Sequence, residues 1–565
     1  MGPTLVERRC PSREHDCLVV CVKNLSCFSF FSIAPLLLPT SCCYFLLDTV
    51  SNVFCTLFSF FFLFFSFHQA RRRVGGGRAC RMLRLSRAHL RIAFVTDVEG
   101  DLTYFARYVD WSKVVSWKDG RLTFRDSASH FIYGGDAFDR GCDISFSKAL
   151  MAFQDEYPSR VHLMLGNRDI NKMVFGSPVV EALQHTHLLP SLAQKIIFPG
   201  VLMCPDGREK GVSYEDFLRE RNMPLVTTKA TLIQWMLTHK MGSAHTFEHR
   251  RKELCQLGYG EQGDEGVADS FIGSAQPGGV YYEYLKRGKI ATIIDGILFV
   301  HGAVVDENVG VVPRSEDTSE SGALSEDSAS NFVLQRQSAE EWVSALNGFK
   351  EVQFQQWSAG GKGAALRQYA LPFEYSPHSV VVHSLTAPGW PRYLGLGGVE
   401  FLNRSGISVV CGGHQPTGDS PSVVQQPGLL SISADNSYCG GDGTRGSSVV
   451  EILFDDDGAV GISGRRVDGA TYSFMAPDGV VGRHLGDGWW VKLKVSDDLY
   501  EVQQTCNSYR DKQVRFLSRR EVDACLASSS GTVVGGEPPE RWTREQLMPI
   551  PSAIKTRRVQ THRIA

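Results

Sequence analysis

The chain has 565 residues, with 59 lysines and arginines against 61 aspartates and glutamates. This length is typical of roughly two or three domains, and the near-zero charge balance excludes a strongly basic nucleic-acid-binding surface as the main feature. A charged fraction of 21% with 43% hydrophobic residues also excludes a wholly disordered chain. We therefore expect a folded protein, and we expect no DNA partner.

The cysteines do not form the pattern of a secreted disulfide framework. There are 15 of them, an odd number, and eight lie in the first 80 residues. The other seven are scattered, and no two cysteines have C-x-x-C spacing. This pattern also argues against a zinc ribbon and favours a reducing compartment.

Residues 1–81 form a hydrophobic N-terminal segment. Residues 25–47 and 49–67 contain no charged side chain, and each run is about as long as a bilayer-spanning helix. Pro35 and Pro39 interrupt the first run, so the second is the stronger candidate. Arginines at positions 71–73 follow it, which places the rest of the chain in the cytosol by the positive-inside rule. We predict a membrane anchor of one or two helices. Two helices would form a hairpin with both ends in the cytosol.

Two other interpretations of this segment stay open. A signal peptide is the first, although the apolar span is too long for one and has no clean small-residue cleavage site. A translation start at Met82 is the second, and it would give a cytoplasmic protein that begins just before the first strand. The arginine-rich stretch that follows Met82 is only weakly similar to a transit peptide.

The remaining sequence divides into a domain and an extension. We predict a folded domain over residues 88–474, with a helical insertion over about 176–290. Within the insertion, residues 206–257 contain three helical patterns, YEDFLRERN, ATLIQWMLTHK and EHRRKEL. An acidic, serine-rich loop over about 313–330 has the composition of a disordered segment. Residues 475–565 are predicted to form a C-terminal extension and a polar tail.

Five segments share one form, an apolar run followed by a turn rich in Asp, Asn, His or Gly. They are IAFVTDVEGD, HFIYGGDAFDRG, VHLMLGNRD, GILFVHGA and ISVVCGGHQPTGDSP. Buried strands that end in oxygen or imidazole ligands build sites at the carboxyl ends of α/β sheets. A single Asp or His after a strand is more often a cap or a structural residue. Five such segments in one chain, with two carboxylates and an arginine inside GDAFDRG, indicate a metal site.

This set resembles the calcineurin-like metallophosphoesterase superfamily, in its phosphoprotein-phosphatase and diadenosine-tetraphosphatase-like branch. The family pattern GDxHG, GDxxDRG, GNH[ED], HGG and GH appears here as TDVEGD, GDAFDRG, GNRD, VHGA and GGHQP. The resemblance covers roughly residues 92–474. It implies an α/β fold in which two mixed β-sheets pack face to face and are flanked by helices. It also implies hydrolysis of phosphomonoester or phosphoanhydride bonds by a metal-activated water.

The resemblance also implies a set of site residues. The ligands of two divalent metal ions would be Asp97, Asp136, Asn167, His301 and His414, with Asp136 bridging the two ions. Arg140 would hold phosphate oxygens in a bidentate fork. Mn, Mg, Fe or Zn would suit this ligand mixture. The substrate would be a phosphorylated protein or a nucleotide, and nothing in the sequence separates these.

The first departure from the family pattern is Glu99, which stands where the family has a histidine ligand. We predict that Glu99 also binds metal, since a carboxylate suits Mg²⁺ or Mn²⁺, and Asp101 is close enough in sequence to help. The alternative is that Glu99 is a turn residue and that one metal site is degraded.

The second departure is Arg168, which replaces a histidine that protonates the leaving group. Arginine stays protonated and cannot act as a general acid. It could still neutralise the leaving oxygen, with Asp139 orienting it, and we therefore predict Arg140, Arg168 and Asp139 as catalytic residues. The alternative is a pseudophosphatase, in which Arg168 and Asp139 form a structural ion pair and the pocket only binds a phosphorylated partner.

Overall fold

The protein is described from a computed structural model. The described residues are 91–184, 189–198, 212–314, 332–334, 338–386, 391–436, 449–454, 459–505 and 512–528. The predicted membrane segment lies outside these ranges, as do most of the acidic loop and the end of the polar tail. Within them, no helix is both long and apolar enough to cross a membrane. The membrane anchor therefore stays a prediction.

The first large sheet supplies three parallel strands to the site. It has six strands, which are β1 (Arg91–Val95), β4 (His130–Tyr133), β5 (Val161–Leu163), β13 (Val449–Phe454), β14 (Val460–Arg465) and β15 (Thr471–Ala476). Their order is β15-β14-β13-β1-β4-β5. β1 is parallel to β4 and β4 to β5, while the other neighbours are antiparallel.

The second large sheet has five strands and is also mixed. They are β6 (Ala291–Ile294), β7 (Ile297–Val300), β10 (Val409–Gly412), β11 (Ser422–Gln426) and β12 (Leu429–Ser433). Their order is β11-β12-β10-β7-β6. β10 is parallel to both β7 and β12, and the two outer pairs are antiparallel.

The two sheets pack face to face through their apolar side chains. Ile92 and Phe94 of β1 share one buried core with Ile297 and Phe299 of β7. The rings of Phe94 and Phe299 have centroids 5.5 Å apart. β1 is apolar from Ile92 onward because both faces of this central strand are covered. The predicted α/β class with two packed mixed sheets is confirmed.

Helices flank the sheets and fill the segment between β5 and β6. Those beside the sheets are α1 (Leu102–Trp111), α2 (Asp143–Glu156), α11 (Ala339–Ser358), α12 (Ala364–Tyr369) and α13 (Leu396–Arg404). Those between β5 and β6 are α3 (Asn167–Asn171), α4 (Ser177–Gln184), α5 (Pro190–Ile197), α6 (Tyr214–Glu220), α7 (Lys229–Trp235), α8 (Thr246–Gln256), α9 (Asp264–Ser274) and α10 (Val280–Arg287).

The helical insertion is packed as an extension of the main core. The three helical sequence patterns fold as α6, α7 and α8. Phe247 of α8 stacks on Phe271 of α9, with ring centroids 6.0 Å apart. Phe271 in turn lies 6.5 Å from Tyr281 of α10, and all three rings belong to the cluster that includes the outer face of the first sheet. The insertion is therefore fixed against the sheet rather than attached by its ends alone.

Residues 484–505 and 512–528 form a further antiparallel sheet, the C-terminal sheet, and a helix. The strands are β16 (His484–Gly486), β17 (Trp489–Ser496), β18 (Leu499–Thr505) and β19 (Lys512–Ser518), in that order, followed by α14 (Arg519–Ser528). Val491 and Leu493 of β17 are fully buried and belong to the same core as the facing side chains of the two large sheets. Two small hairpins, β2 (Val115–Lys118) with β3 (Arg121–Phe124) and β8 (Val311–Pro313) with β9 (Phe332–Leu334), complete the described strands.

Candidate metal centre

The first half of the site lies on three turns at the carboxyl ends of β1, β4 and β5. These strands are parallel neighbours, so their ends meet at one edge of the sheet. The turn after β1 carries Asp97, the turn after β4 carries Asp136, and Asn167 begins α3 after β5. The main-chain N–H of Asp97 donates to Gly135 O at 3.0 Å and joins the first two turns.

The second half of the site lies at the ends of β7 and β10, which are also parallel neighbours. His301 directly follows β7, and His414 comes two residues after β10. Their imidazole centroids are 5.4 Å apart. The main-chain N–H of His414 donates to Asp97 Oδ2 at 3.1 Å, so the two halves are in direct contact.

Asp136 and His301 are central to this cluster. His301 Nε2 lies 3.3 Å from Asp136 Oδ1 and 4.0 Å from Asp97 Oδ1. Asp136, His301 and His414 each offer one ligand atom, and these three atoms lie within 4.8 Å of one another. A metal ion with ligand bonds of about 2.0–2.3 Å fits between atoms at this spacing.

The donor atoms themselves fit a divalent metal ion. Among the described residues, Asn167 Oδ1, His301 Nε2 and His414 Nδ1 are buried and make no hydrogen bond. His301 Nδ1 lies 2.9 Å from Gly134 O and donates its proton there, so Nε2 is the nitrogen that faces the carboxylates and would bind a metal ion. Buried polar atoms without partners are costly, and a cation would satisfy all three.

Burial and the charges within the cluster shift the pKa values of its aspartates and histidines. Burial raises the pKa of Asp97 to about 7, against the opposing effect of His301. Burial also acts to raise the pKa of Asp136, but His301, Arg168 and His414 together outweigh it and the net shift is downward. Burial lowers the pKa of His301, yet Asp136 and Asp97 outweigh this and raise it to about 10. Burial and the neighbouring His301 lower the pKa of His414 to about 3. Two buried carboxylates therefore attract positive charge to this position.

Strained backbone and close glycine contacts hold the cluster together. Asp97, Asp136 and His414 have φ values of 57°, 56° and 72°, in the left-handed region. Such residues cost about 1–3 kcal/mol each and concentrate at functional sites. A Cβ on Gly413 would lie 2.5 Å from Asp97 Oδ2, and one on Gly166 would collide with Asp136 Oδ1. The glycines of GGHQP and GNRD therefore permit the carboxylates to approach.

The structure places Glu99 between two arginines. Its Oε2 lies 2.5 Å from Arg140 Nε, and its Oε1 lies 2.7 Å from Arg168 Nε. The Glu99 side chain is only 4% exposed, whereas Arg140 and Arg168 are 33% and 18% exposed. The metal-ligand role of Glu99 stays a prediction. The nearby Asp101 caps α1, because its Oδ1 accepts the N–H of Tyr104 at 2.9 Å.

Asp139 is paired with two cations. Arg168 Nη1 donates to Asp139 Oδ2 at 3.2 Å, so the expected contact between these residues is present. Lys172 Nζ donates to Asp139 Oδ1 at 2.5 Å, and both groups are buried. Sequence reasoning missed Lys172, although its position one helical turn after Arg168 in NRDINK could have indicated it.

Asp169 is a second residue that the sequence analysis missed. Its Oδ2 accepts the N–H groups of Gly166 at 2.8 Å and Asp136 at 2.9 Å, and its Oδ1 accepts that of Ala137 at 2.7 Å. Burial, followed by the charge of Asp136, raises its pKa to about 7. The last letter of GNRD thus joins the second and third motif turns. The motif itself was the available signal.

The helical insertion contacts the site directly. Ser243 Oγ accepts a hydrogen bond from Arg168 Nη1 at 2.7 Å. The hydroxyl of Thr246, the first residue of α8, donates to the main-chain oxygen of Asp139. No local signal marks either residue, because both contacts depend on how the insertion packs against the sheet.

A buried network fixes α8 behind the GDAFDRG turn. Arg250 is 1% exposed, and its guanidinium lies 3.5 Å from Asp143 Oδ2 and donates to the hydroxyl of Tyr281 at 2.7 Å. Asp143 Oδ1 accepts the N–H of Asp139 at 2.9 Å. Glu253 accepts N–H groups from the first turn of α2 at 2.8 and 3.1 Å, as an anion at a helix N-terminus does. The insertion therefore supports the main chain of Asp139.

Comparison with known proteins gives little further information. No family model matches the chain, and no curated protein matches it. Among solved structures, the chain is similar to a cold-active protein tyrosine phosphatase, with 15% identity over 68% of this chain and 79% of that chain and a TM-score of 0.33. It is also similar to a serine/threonine phosphatase from Saccharomyces cerevisiae, with 12% identity over 76% of this chain and 80% of that chain and a TM-score of 0.26.

Proposed function

We propose that the chain is a metal-dependent phosphoesterase that hydrolyses phosphomonoester or phosphoanhydride bonds. One observation carries the proposal. Asp136, His301 and His414 offer ligand atoms within 4.8 Å of one another, at the facing strand ends of two packed sheets. The order of the five sequence motifs supports the same activity. The proposed substrate is a phosphorylated protein or a nucleotide.

Two divalent metal ions in this cluster would lower the pKa of a water molecule and bind the oxygens of an in-line displacement. Asp97, Asp136, Asn167, His301 and His414 are the proposed ligands. Arg140 and Arg168 are partly exposed beside the cluster, where guanidinium groups can bind phosphate oxygens. Arg168 can neutralise the charge on a leaving oxygen, but it cannot protonate it.

A pseudophosphatase that binds phosphate without turnover is the second candidate function. It is favoured by Glu99, because the residue that replaces a metal-binding histidine pairs with Arg140 and Arg168. In this function, the phosphate of a partner would compete with the Glu99 carboxylate for the two guanidinium groups. The pocket would then act as a phosphate-binding module.

Metal content and turnover distinguish the two candidates. The purified protein would be analysed for bound metal by elemental analysis and assayed with p-nitrophenyl phosphate in the presence of Mn²⁺ or Mg²⁺. Asp136→Asn is the control, since it removes the proposed bridging charge without changing side-chain size. Near two ions per chain with turnover lost in the variant would establish the phosphoesterase. One ion or none, with turnover equal to that of the variant, would leave only the phosphate-binding function.

We also propose that the catalytic domain faces the cytosol, anchored by residues 1–81 or made without them from Met82. Alkaline carbonate extraction of membranes from cells that express the chain with a C-terminal tag tests the anchor. Replacing Met82 by leucine tests the internal start. A shorter tagged product that disappears in this variant would show that translation begins at Met82.

A further inference from the structure

A buried lysine of the C-terminal sheet holds the loop that follows His414. Lys492 of β17 is 0% exposed. Its Nζ donates to the main-chain oxygen of Thr417 and to Gln503 Oε1, the latter at 3.0 Å. Thr417 lies three residues after His414. A buried ammonium group is costly unless it is fully hydrogen-bonded, so its geometry here is closely determined.

The neighbouring strands hold the next residues of the same loop. Glu501 of β18 is 0% exposed and accepts a hydrogen bond from Ser420 Oγ at 3.0 Å. Its other oxygen forms an ion pair with Arg466. Lys512 of β19 donates to Asp419 Oδ1 at 2.9 Å. Three successive strands of the C-terminal sheet therefore contact residues 417, 419 and 420 through charged side chains.

This loop has a conformation that needs external support. His414 has a φ of 72° and Gly418 a φ of 103°. A Cβ on Gly418 would lie 3.0 Å from Lys492 Nζ, so the loop backbone lies directly against the ammonium group. A non-glycine residue in the left-handed region persists only where surrounding contacts determine it. The contacts from β17, β18 and β19 are of this kind.

We propose that the C-terminal sheet is a structural part of the metal centre and that Lys492 is a positioning residue for the ligand His414. The inference rests on the proposed function, because it assumes that His414 binds metal. By holding the Thr417 carbonyl, Lys492 fixes the path of the chain from β10 through His414. The segment that follows residue 475 is thereby required for metal affinity as well as for stability.

The test is Mn²⁺ binding to the full chain with Lys492→Met, a side chain of similar length without charge. Mn²⁺ affinity is measured by isothermal titration calorimetry, and thermal unfolding is recorded with and without Mn²⁺. Residues that orient metal ligands typically contribute 10–100-fold to metal affinity, so we expect a loss of about this size and a smaller rise of Tm on adding Mn²⁺. The matched control is Lys494→Met on the same strand, because Lys494 is 21% exposed and pairs with Asp478. It should keep the wild-type affinity.

A purely structural role predicts a different result. Lys492→Met would then lower the Tm of the metal-free protein but leave Mn²⁺ affinity within twofold of the wild type, and this would overturn the proposal. If Lys492→Met does not fold, Lys512→Gln is measured instead, because the contact of Lys512 with Asp419 lies closer to the surface. A several-fold loss of affinity in Lys512→Gln supports the inference, and unchanged affinity overturns it.

The outcome can be separated from that of the proposed function. A wild-type protein that binds Mn²⁺ but does not hydrolyse p-nitrophenyl phosphate contradicts the phosphoesterase and leaves the positioning role testable. A phosphoesterase whose Mn²⁺ affinity is unchanged by Lys492→Met contradicts the positioning role alone.

Discussion

Arg168 Nε lies 2.7 Å from Glu99 Oε1, so the two residues that differ from the motifs which this sequence resembles are ion-pair partners. Each residue also has a second partner, Arg140 for Glu99 and Asp139 for Arg168, so a neutral side chain at either position removes one of the ion pairs of the other. We therefore predict that the two departures behave as one coupled change. Arg140, on the other oxygen of Glu99, belongs to the same group of charges.

A double-mutant cycle with Glu99→Gln and Arg168→Gln should show this coupling. We expect a coupling energy of about 1–3 kcal/mol in the free energy of unfolding, as for residues in direct contact within one charged network. Urea unfolding of the two single variants and the double variant measures it. The cycle of Glu99→Gln with Arg519→Gln serves as the control, and its coupling should be below about 0.5 kcal/mol because Arg519 pairs with Asp523 on the last helix and shares no partner with Glu99. Additive effects of Glu99→Gln and Arg168→Gln would show that the two departures are independent.

Mn²⁺ should stabilise the fold. At a free concentration a hundredfold above its Kd, a ligand that binds only the folded state raises the free energy of unfolding by about 2.7 kcal/mol. The variant His301→Gln should lose most of this increase in the free energy of unfolding, since it removes the buried imidazole nitrogen that would bind the metal ion. His162→Gln should retain it, because the His162 imidazole contacts His130. Equal stabilisation of both variants, measured by urea unfolding with Mn²⁺ or EDTA, would contradict the assignment of His301 as a ligand.

The helical insertion should depend on Arg250. Arg250→Met leaves the Asp143 carboxylate buried without its cation, and we expect a loss of about 3–5 kcal/mol in the free energy of unfolding. The adjacent Arg251 is 23% exposed and pairs with Glu248 and Asp264 on the surface. Arg251→Met should therefore cost less than about 1 kcal/mol. Similar losses in the two variants would show that the Asp143 contact is unimportant.

Because Arg168 cannot act as a general acid, the rate should depend steeply on the leaving group. Without a general acid, which typically contributes 10²–10⁴-fold, alkyl phosphates should be hydrolysed at least about a hundredfold more slowly than aryl phosphates. The kcat/KM values for a series of phenol and alcohol esters give this slope. Arg140→Lys should lower all rates by a similar factor, since Arg140 would contact only non-bridging oxygens. If Arg168→His raised alkyl phosphate hydrolysis by several orders of magnitude, a working role for Arg168 would be excluded.

The sequence predicts those site residues that can be recognised from their immediate neighbours in the chain. Asp97, Asp136 and Asn167 each follow an apolar run that folds as a strand, and these three strands are parallel neighbours. His301 and His414 follow two more parallel strands in the same way. The pattern of a buried strand and a polar turn is contained in a few adjacent residues, so it can be recognised without the tertiary structure.

The rest of the site could not be predicted in this way because its contacts join distant parts of the chain. Ser243 reaches Arg168 only because α8 packs on the GDAFDRG turn. The pairing of Glu99 with two arginines cannot be distinguished in the sequence from metal binding, since a carboxylate suits both. Lys492 lies in a segment that the sequence analysis treats as an extension, and no motif near it indicates the loop after His414.

The position of β1 in its sheet sets the order in which the site can form during synthesis. β1 lies between β4 and β13, and Arg91 is paired with Leu453. At about 5–20 residues per second, the ribosome adds β13 about 20–70 s after β1. Throughout this interval one edge of β1 has no partner strand, and an open edge can pair with another chain. The nascent protein would then depend most on chaperones before β13 emerges, and for most of this interval the turn that carries Asp97 also lacks its partner His414.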